Sequence, residues 1–249
     1  IPTLEALAAK HGFIYKGLAV DSPGQEQKAT WLQVRNDRPD WVLVWGWGVM
    51  NQVAIKEAVG IRYPMDKLIG NWWSASEADV VPSGKAAKGY LGATWHGVGG
   101  SYPLHDEIRK HVYDKGKAAD PSFRPRIGEA LYNRGMLHAF YQTEAIRKAM
   151  EIHKTKSPNG KQVRDGLEAL DITAARLKQV GLEGFTYPFK ITCANHEGPG
   201  LVGLMQWDGD KWVSLPKFYE PDRPLVQGLI KKDSAAYAAE NKITPRTCN

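Results

Sequence analysis

Apolar and polar positions alternate along the first hundred residues between helical and extended periods. Thr3 to His11 (TLEALAAKH) spaces Leu4, Leu7 and Ala8 as one helix face, and Gly12 supplies its stop. Phe13 to Val20 (FIYKGLAV) predicts a strand, and Asp21-Ser22-Pro23-Gly24 a turn. Gln25 to Asn36 predicts a helix that Pro39 prevents from continuing. Asp40 to Trp45 (DWVLVW) is an unbroken apolar run between turn signals, the pattern of a strand covered on both faces. Its tryptophans, Trp41 and Trp45, are therefore expected in the core. A helix over Val49 to Val59, a short strand at Lys67 to Gly70, a helix from about Ser76 and a strand over Tyr90 to Val98 follow.

Strands and helices alternating at this spacing predict βαβ units and a mainly parallel sheet. Ligands of such sheets lie beyond the carboxyl ends of the strands. The residues at those ends are Gly46-Trp47-Gly48, Asn71-Trp72-Trp73-Ser74 and Thr94-Trp95-His96. All three are rich in tryptophan, and six of the chain's nine tryptophans fall between Trp41 and Trp95. A large ring in a loop needs a partner, so ligand contact and packing between layers are both open for Trp47, Trp72 and Trp73.

From Leu104 to Gly181 the pattern is helical, with no convincing strand. Gly128 to Lys154 is a long helical segment whose stripe is Leu131, Leu137, Phe140, Ile146 and Met150. Such a stripe must bury against something. Either its partner layer lies outside this sequence or the helices pack on each other. Phe185 to Cys193 reads as extended. Gly200 to Trp207 and Lys211 to Leu215 read as a hairpin around Asp208-Gly209-Asp210, and a helix is expected over Leu225 to Lys242.

Charge and motifs exclude more than they suggest. The net charge of +6 is spread without a basic block, so no nucleic-acid partner is expected. No apolar run reaches the roughly 18–20 residues of a membrane span. The chain opens Ile1-Pro2-Thr3 without a leader pattern, as a mature, processed or truncated chain would. His105 and His111 stand six apart, off any shared helix face, and are expected to be solvated; no metal site is predicted. Gly97-Val98-Gly99-Gly100 lacks a nucleotide-binding register and reads as a flexible crossover. No GxSxG is present, and no catalytic residue or cofactor is assigned. An enzyme would have to use Cys193 or His196. Cys193 and Cys248 are compatible with free thiols or with a bridge.

The series FIYKGLAVD, DWVLVWGWG, NQVAIKEAVGI, KLIGNWW, AAKGYLGATWHGV, ALYNRGMLHAFYQTEAIRKAM, VRDGLEAL and GLVGLMQWDGDKW resembles type I periplasmic solute-binding proteins of ABC transporters, above all the leucine/isoleucine/valine-binding type. The resemblance covers nearly the whole chain. It implies an α/β fold of two Rossmann-like lobes with parallel sheets, joined by hinge crossovers, with the ligand in the cleft. It further implies that the first lobe lacks its N-terminal sheet strands. Residues 1–98 would be lobe 2, 99–190 the helical remainder of lobe 1, and 191–249 a return to lobe 2 with the tail. Ligand contacts would fall on Gly46, Trp47, Trp72, Trp73, Thr94 and Trp95, and Cys193 and Cys248 would form a periplasmic disulfide. The implied partners are a small-molecule ligand and a permease in the inner membrane, with the full-length receptor a monomer. Where amino-acid receptors of the family often carry an acidic residue after the strand, Asn71-Trp72-Trp73-Ser74 has none. That departure favours an aromatic or apolar carboxylate, or a quaternary ammonium, over an amino acid. A ligand-sensing regulatory domain of the same fold is the alternative role.

Overall fold

The computed structural model describes residues 1–248. Helix α1 (Pro2–His11) ends at Gly12, whose left-handed backbone closes the last turn onto Ala8 O. Helix α2 (Lys28–Asp37) leads to strand β1 (Val42–Val44), helix α3 (Val49–Gly60) and strand β2 (Leu68–Gly70). A single 3-10 turn, Trp72–Ser74, precedes the short helix α4 (Glu77–Val80), whose Ser76 and Asp79 form a reciprocal capping box. Strand β3 (Leu91–Thr94) follows, then α5 (Pro103–Ile108), which runs on as a π-turn over Arg109–Tyr113.

The chain next forms the long α6 (Ala130–His153), α7 (Gly160–Glu168), β4 (Asp171–Ile172), α8 (Ala174–Gln179) and β5 (Phe189–Lys190). It closes with the hairpin β6 (Val202–Trp207) and β7 (Trp212–Tyr219), then α9 (Arg223–Glu240).

Five strands form one sheet in the order β1-β2-β3-β6-β7. The first three are parallel, with Val42 opposite Leu68 and Ile69 opposite Leu91; β6 and β7 join antiparallel. The sheet is thus mixed, because a strand arriving from the far side of α5–α8 pairs in the reverse direction. Its core unites Ile55 and Ala58 of α3 with Leu68, Val80, Tyr90, Met205, Trp207 and Trp212. A second core gathers Leu137, Phe140 and Ala145 of α6 with Leu170, Ile172, Leu177, Leu182 and Phe185.

Several expectations are corrected. Phe13 to Val20 is not a strand: it forms no ladder, and Ile14 is 98% exposed. Strand propensity needs a pairing partner to act on, and β1 remains the sheet edge. For the same reason Trp41 and Trp45 are exposed rather than core. The 104–181 stretch does contain a strand, β4, which pairs antiparallel with β5. His105 is fully buried rather than solvated, with its Nε2–H donating to Asn133 Oδ1 at 2.8 Å.

Helices α6 and α7 pack tightly on each other. A Cβ on Gly166 would lie 2.2 Å from Ala145 O, so only glycine admits this approach. The α6 stripe is still only half covered. Leu137 and Phe140 are buried, whereas Leu131 and Ile146 are exposed. A groove of about 650 Å³ runs between α5, α6 and α8, lined by Leu104, Ile108, Leu131, Met136, Phe140 and Val180 among others.

Candidate functional site

The parallel strands β1, β2 and β3 deliver three chain segments to one end of the sheet. A buried polar network fixes the first two. Asn71 caps the Trp72–Ser74 turn, its Oδ1 accepting from Trp73 N–H at 3.0 Å and Ser74 N–H at 3.1 Å. Asn51 Nδ2 donates to Trp73 O at 2.7 Å and to Asp79 Oδ1 at 2.9 Å. Ser74 Oγ lies 2.8 Å from Gly46 O, and Tyr90 Oη donates to Ser74 O at 2.8 Å. The other oxygen of Asp79 accepts from Ser76 N–H and Oγ–H at 2.8 and 2.7 Å. Burial raises the Asp79 carboxyl, and these hydrogen bonds hold it partly down.

This frame presents a wall of indoles. Trp47 meets Trp73 edge-on with ring centroids 5.7 Å apart, Trp73 meets Trp72 at 5.5 Å, and Trp72 meets Trp45 at 5.7 Å and Trp95 at 5.9 Å. Edge contacts of this kind suit the ring quadrupoles. Trp47 is 59% and Trp73 48% exposed, while Trp72 and Trp95 are half-buried. An exposed apolar patch of linked rings is a binding surface more often than an accident of packing.

The predicted site residues thus separate. Trp47, Trp72, Trp73 and Trp95 come together in the wall. Gly46 and Thr94 lie beneath it: Gly46 is buried, and a Cβ there would sit 2.8 Å from Asn51 Oδ1. Thr94 is buried, its hydroxyl donating to His96 O at 3.0 Å and accepting from His96 N–H at 3.2 Å. Gly46 O accepts from Ser74 Oγ–H, and the Thr94 hydroxyl is engaged within its own segment.

Sequence reasoning missed two residues of α6 that pack against the wall. Arg134 lies with its guanidinium carbon 5.0 Å from the centre of the Trp95 ring, and its Nη1 donates to Trp72 O at 2.7 Å. His138, one turn on, stacks on Trp95 with centroids 6.3 Å apart and planes 14° from parallel. Arg134 is only 8% exposed, and burial lowers its pKa against the pull of Asp79 and Glu77. Glu77 in turn accepts Ala130 N–H at 2.9 Å, a carboxylate at the positive end of α6. A signal was available. Arg134 shares a helix face with Ala130 and Leu137, where a charge is out of place.

His96, beside Trp95, gives the fold a pH dependence. Its Nδ1 is 2.9 Å from Gly97 O, so Nδ1 carries the proton, and its ring stacks on Phe185 at 5.7 Å. Burial pushes its pKa from 6.5 down to about 4. The folded protein keeps His96 neutral where the unfolded chain takes up a proton. His96 therefore stabilises the fold fully above pH 6.5, and that contribution is lost as pH falls from 6.5 to about 4. The loss is on the order of 3 kcal/mol. Denaturant unfolding from pH 7 to 4 is expected to show it as a difference in slope between wild type and His96→Phe. Parallel curves would exclude this role.

Among the described residues no three His, Cys, Asp or Glu side chains are grouped to hold a metal ion. Cys193 and Cys248 are joined by a disulfide, which leaves Cys193 no thiolate to act as a nucleophile. His196 stands 3.3 Å from Glu168 and is exposed. No helix of the described residues is long and apolar enough to cross a membrane.

No protein-family model matches the chain, and no curated protein matches it. Solved structures do. A crystal structure described as an ABC transporter permease from the Pseudomonas fluorescens group is 39% identical, with a TM-score of 0.90 over 99% of this chain and 59% of that one. A branched-chain amino acid ABC transporter protein from Thermus thermophilus with bound valine is 18% identical, with a TM-score of 0.66 over 90% of this chain and 57% of that one. A solute-binding protein from R. palustris in complex with benzoate is 16% identical, with a TM-score of 0.59 over 87% and 53%. The chain has the type I periplasmic binding protein fold of these structures and spans between one half and three fifths of their lengths.

Proposed function

We propose that the chain belongs to the extracytoplasmic, periplasmic substrate-binding component of an ABC importer. The observation that carries this reading is the tryptophan wall at the carboxyl ends of β1, β2 and β3, faced by Arg134 and His138 of α6. Of the wall's rings, Trp95 packs against the second core, that of α6. Residues 1–98 and 191–249 form one lobe in this reading and residues 99–190 the other, with the ligand between them. The solute is a small carboxylate, amino-acid-like in size as for the leucine/isoleucine/valine-binding receptors, or aromatic. Closure of the lobes over it is what an inner-membrane permease would recognise, and the protein performs no chemistry. The half-covered stripe of α6 and the chain's share of its relatives' length fit a first lobe whose remaining sheet lies outside this sequence.

The test is a titration followed by intrinsic tryptophan fluorescence and melting temperature, on protein expressed from the complete gene. A bound solute at about 100 times its dissociation constant stabilises by about 2.7 kcal/mol. Trp73→Ala removes one stacking face and is expected to weaken binding about 30-fold, roughly 2 kcal/mol. A panel of amino acids, aromatic acids, fatty acids and amines that moves neither signal would overturn the receptor reading.

A further inference from the structure

Arg134 is the one buried cation at the wall, and its hydrogen bonding is half finished. Nη1 is used by Trp72 O, whereas Nε and Nη2 have no partner among the described residues. A buried guanidinium with idle N–H groups is costly, and native proteins rarely leave one without a reason. Nε–H and the neighbouring N–H of Nη2 lie on the same edge of the guanidinium. They point in parallel and form the fork that accepts both oxygens of a carboxylate.

The local carboxylates do not fill that fork. The two Asp79 oxygens accept from Asn51 and Ser76, and Glu77 Oε2 accepts Ala130 N–H. They act on Arg134 only through space. None of the three strand-exit segments that carry the wall, residues 46–48, 71–74 and 94–96, contains an Asp or Glu to meet a ligand ammonium. A cation entering here would meet the Arg134 charge, which Asp79 and Glu77 offset only through space.

We propose that Arg134 is the anion anchor of this site, its Nε–Nη2 edge taking the carboxylate of an aromatic or apolar monocarboxylic acid whose body lies against Trp72 and Trp95. This rests on the receptor reading and narrows it, since it excludes α-amino acids and quaternary amines as preferred ligands. Discrimination comes from both sides: an acid completes the fork, and an ammonium finds no carboxylate on the wall segments.

The experiment is calorimetric titration of the full-length protein with benzoate, octanoate, benzamide, phenylalanine and phenyltrimethylammonium. Benzoate or octanoate is expected to bind at least 30-fold more tightly than benzamide and than either ammonium compound. Arg134→Met should weaken the acid at least 100-fold and leave benzamide within about threefold. Arg134→Lys keeps the charge but not the fork and should fall between, about 10-fold weaker; it also guards against misfolding of the methionine variant. Acid binding unchanged in both variants overturns the proposal, as does benzamide binding as well as benzoate. Preference for phenylalanine or the quaternary amine overturns it while the receptor reading stands. Wild-type protein that binds none of the five overturns both.

Discussion

Gly128→Ala is expected to destabilise the protein by about 4 kcal/mol, the sum of overpacking and forced backbone strain. Gly128 has φ of +104°, where a side chain is strained whatever the space, and the space is absent. A Cβ would lie 2.4 Å from Gly100 N and 2.7 Å from Gly100 Cα, which are backbone atoms with nowhere to go. The reverse contact is as close: a Cβ on Gly100 would be 2.6 Å from Ile127 O. Two backbones cross here without side chains, and Asn133 clamps the crossing. Its Nδ2 lies 3.1, 3.0 and 3.3 Å from Gly97 O, Gly99 O and Gly128 O. The Gly97–Gly100 segment is therefore a packed junction, not the flexible crossover its glycines suggest. It joins the exit of β3 to the start of α6, and so sets Arg134 against Trp95. Urea unfolding of Gly128→Ala measures the loss. Gly135→Ala is the control: it lies in α6, nothing stands within 4 Å of its Cβ, and it should gain up to about 1 kcal/mol. A Gly128→Ala midpoint matching wild type would show that the crossing can open freely.

Cys248→Ser carries the second large effect. The Cys193–Cys248 bridge closes a separation of 55 residues that takes in β6, β7 and α9. Opening a loop of that length costs about 4 kcal/mol in the chain-entropy model. Beyond α9, Arg246 also forks onto Glu168 at 2.5 and 2.6 Å, an ion pair whose arginine is half exposed and which is weak alone. Reduced wild type and Cys248→Ser should melt together, well below oxidised wild type, and β6–β7 should lose amide protection first. Two titratable thiols in unreduced, denatured wild type would remove the bridge and the prediction with it.

The elements carried by local pattern were legible. DWVLVW, KLIG and YLGAT are apolar runs between turn signals, and each contains a strand of the sheet. Ser76 and Gly12 marked helix ends that the structure keeps. The strand exits, and with them Trp47, Trp72, Trp73 and Trp95, follow from βα order alone, because the ends of parallel strands lie together. FIYKGLAV has equal strand character and is not a strand, since pairing is a property of two segments and its ladder is not formed.

Arg134 and His138 were invisible for a related reason. The helical period puts Arg134 on the inward face of α6, but which surface that face meets is decided by the Gly99–Gly128 crossing, about thirty residues apart in sequence. Likewise Gly46 and Thr94 sit at the right strand ends, yet their burial depends on Asn51, Ser74 and His96 closing over them. Period and element order thus determined the α/β class, the strand ends and the gathering of tryptophans there. Only tertiary structure decided which rings face outward and which cation stands behind them. Local free energies act between near neighbours in sequence, whereas the wall and its arginine are joined by contacts that exist only once distant backbones cross.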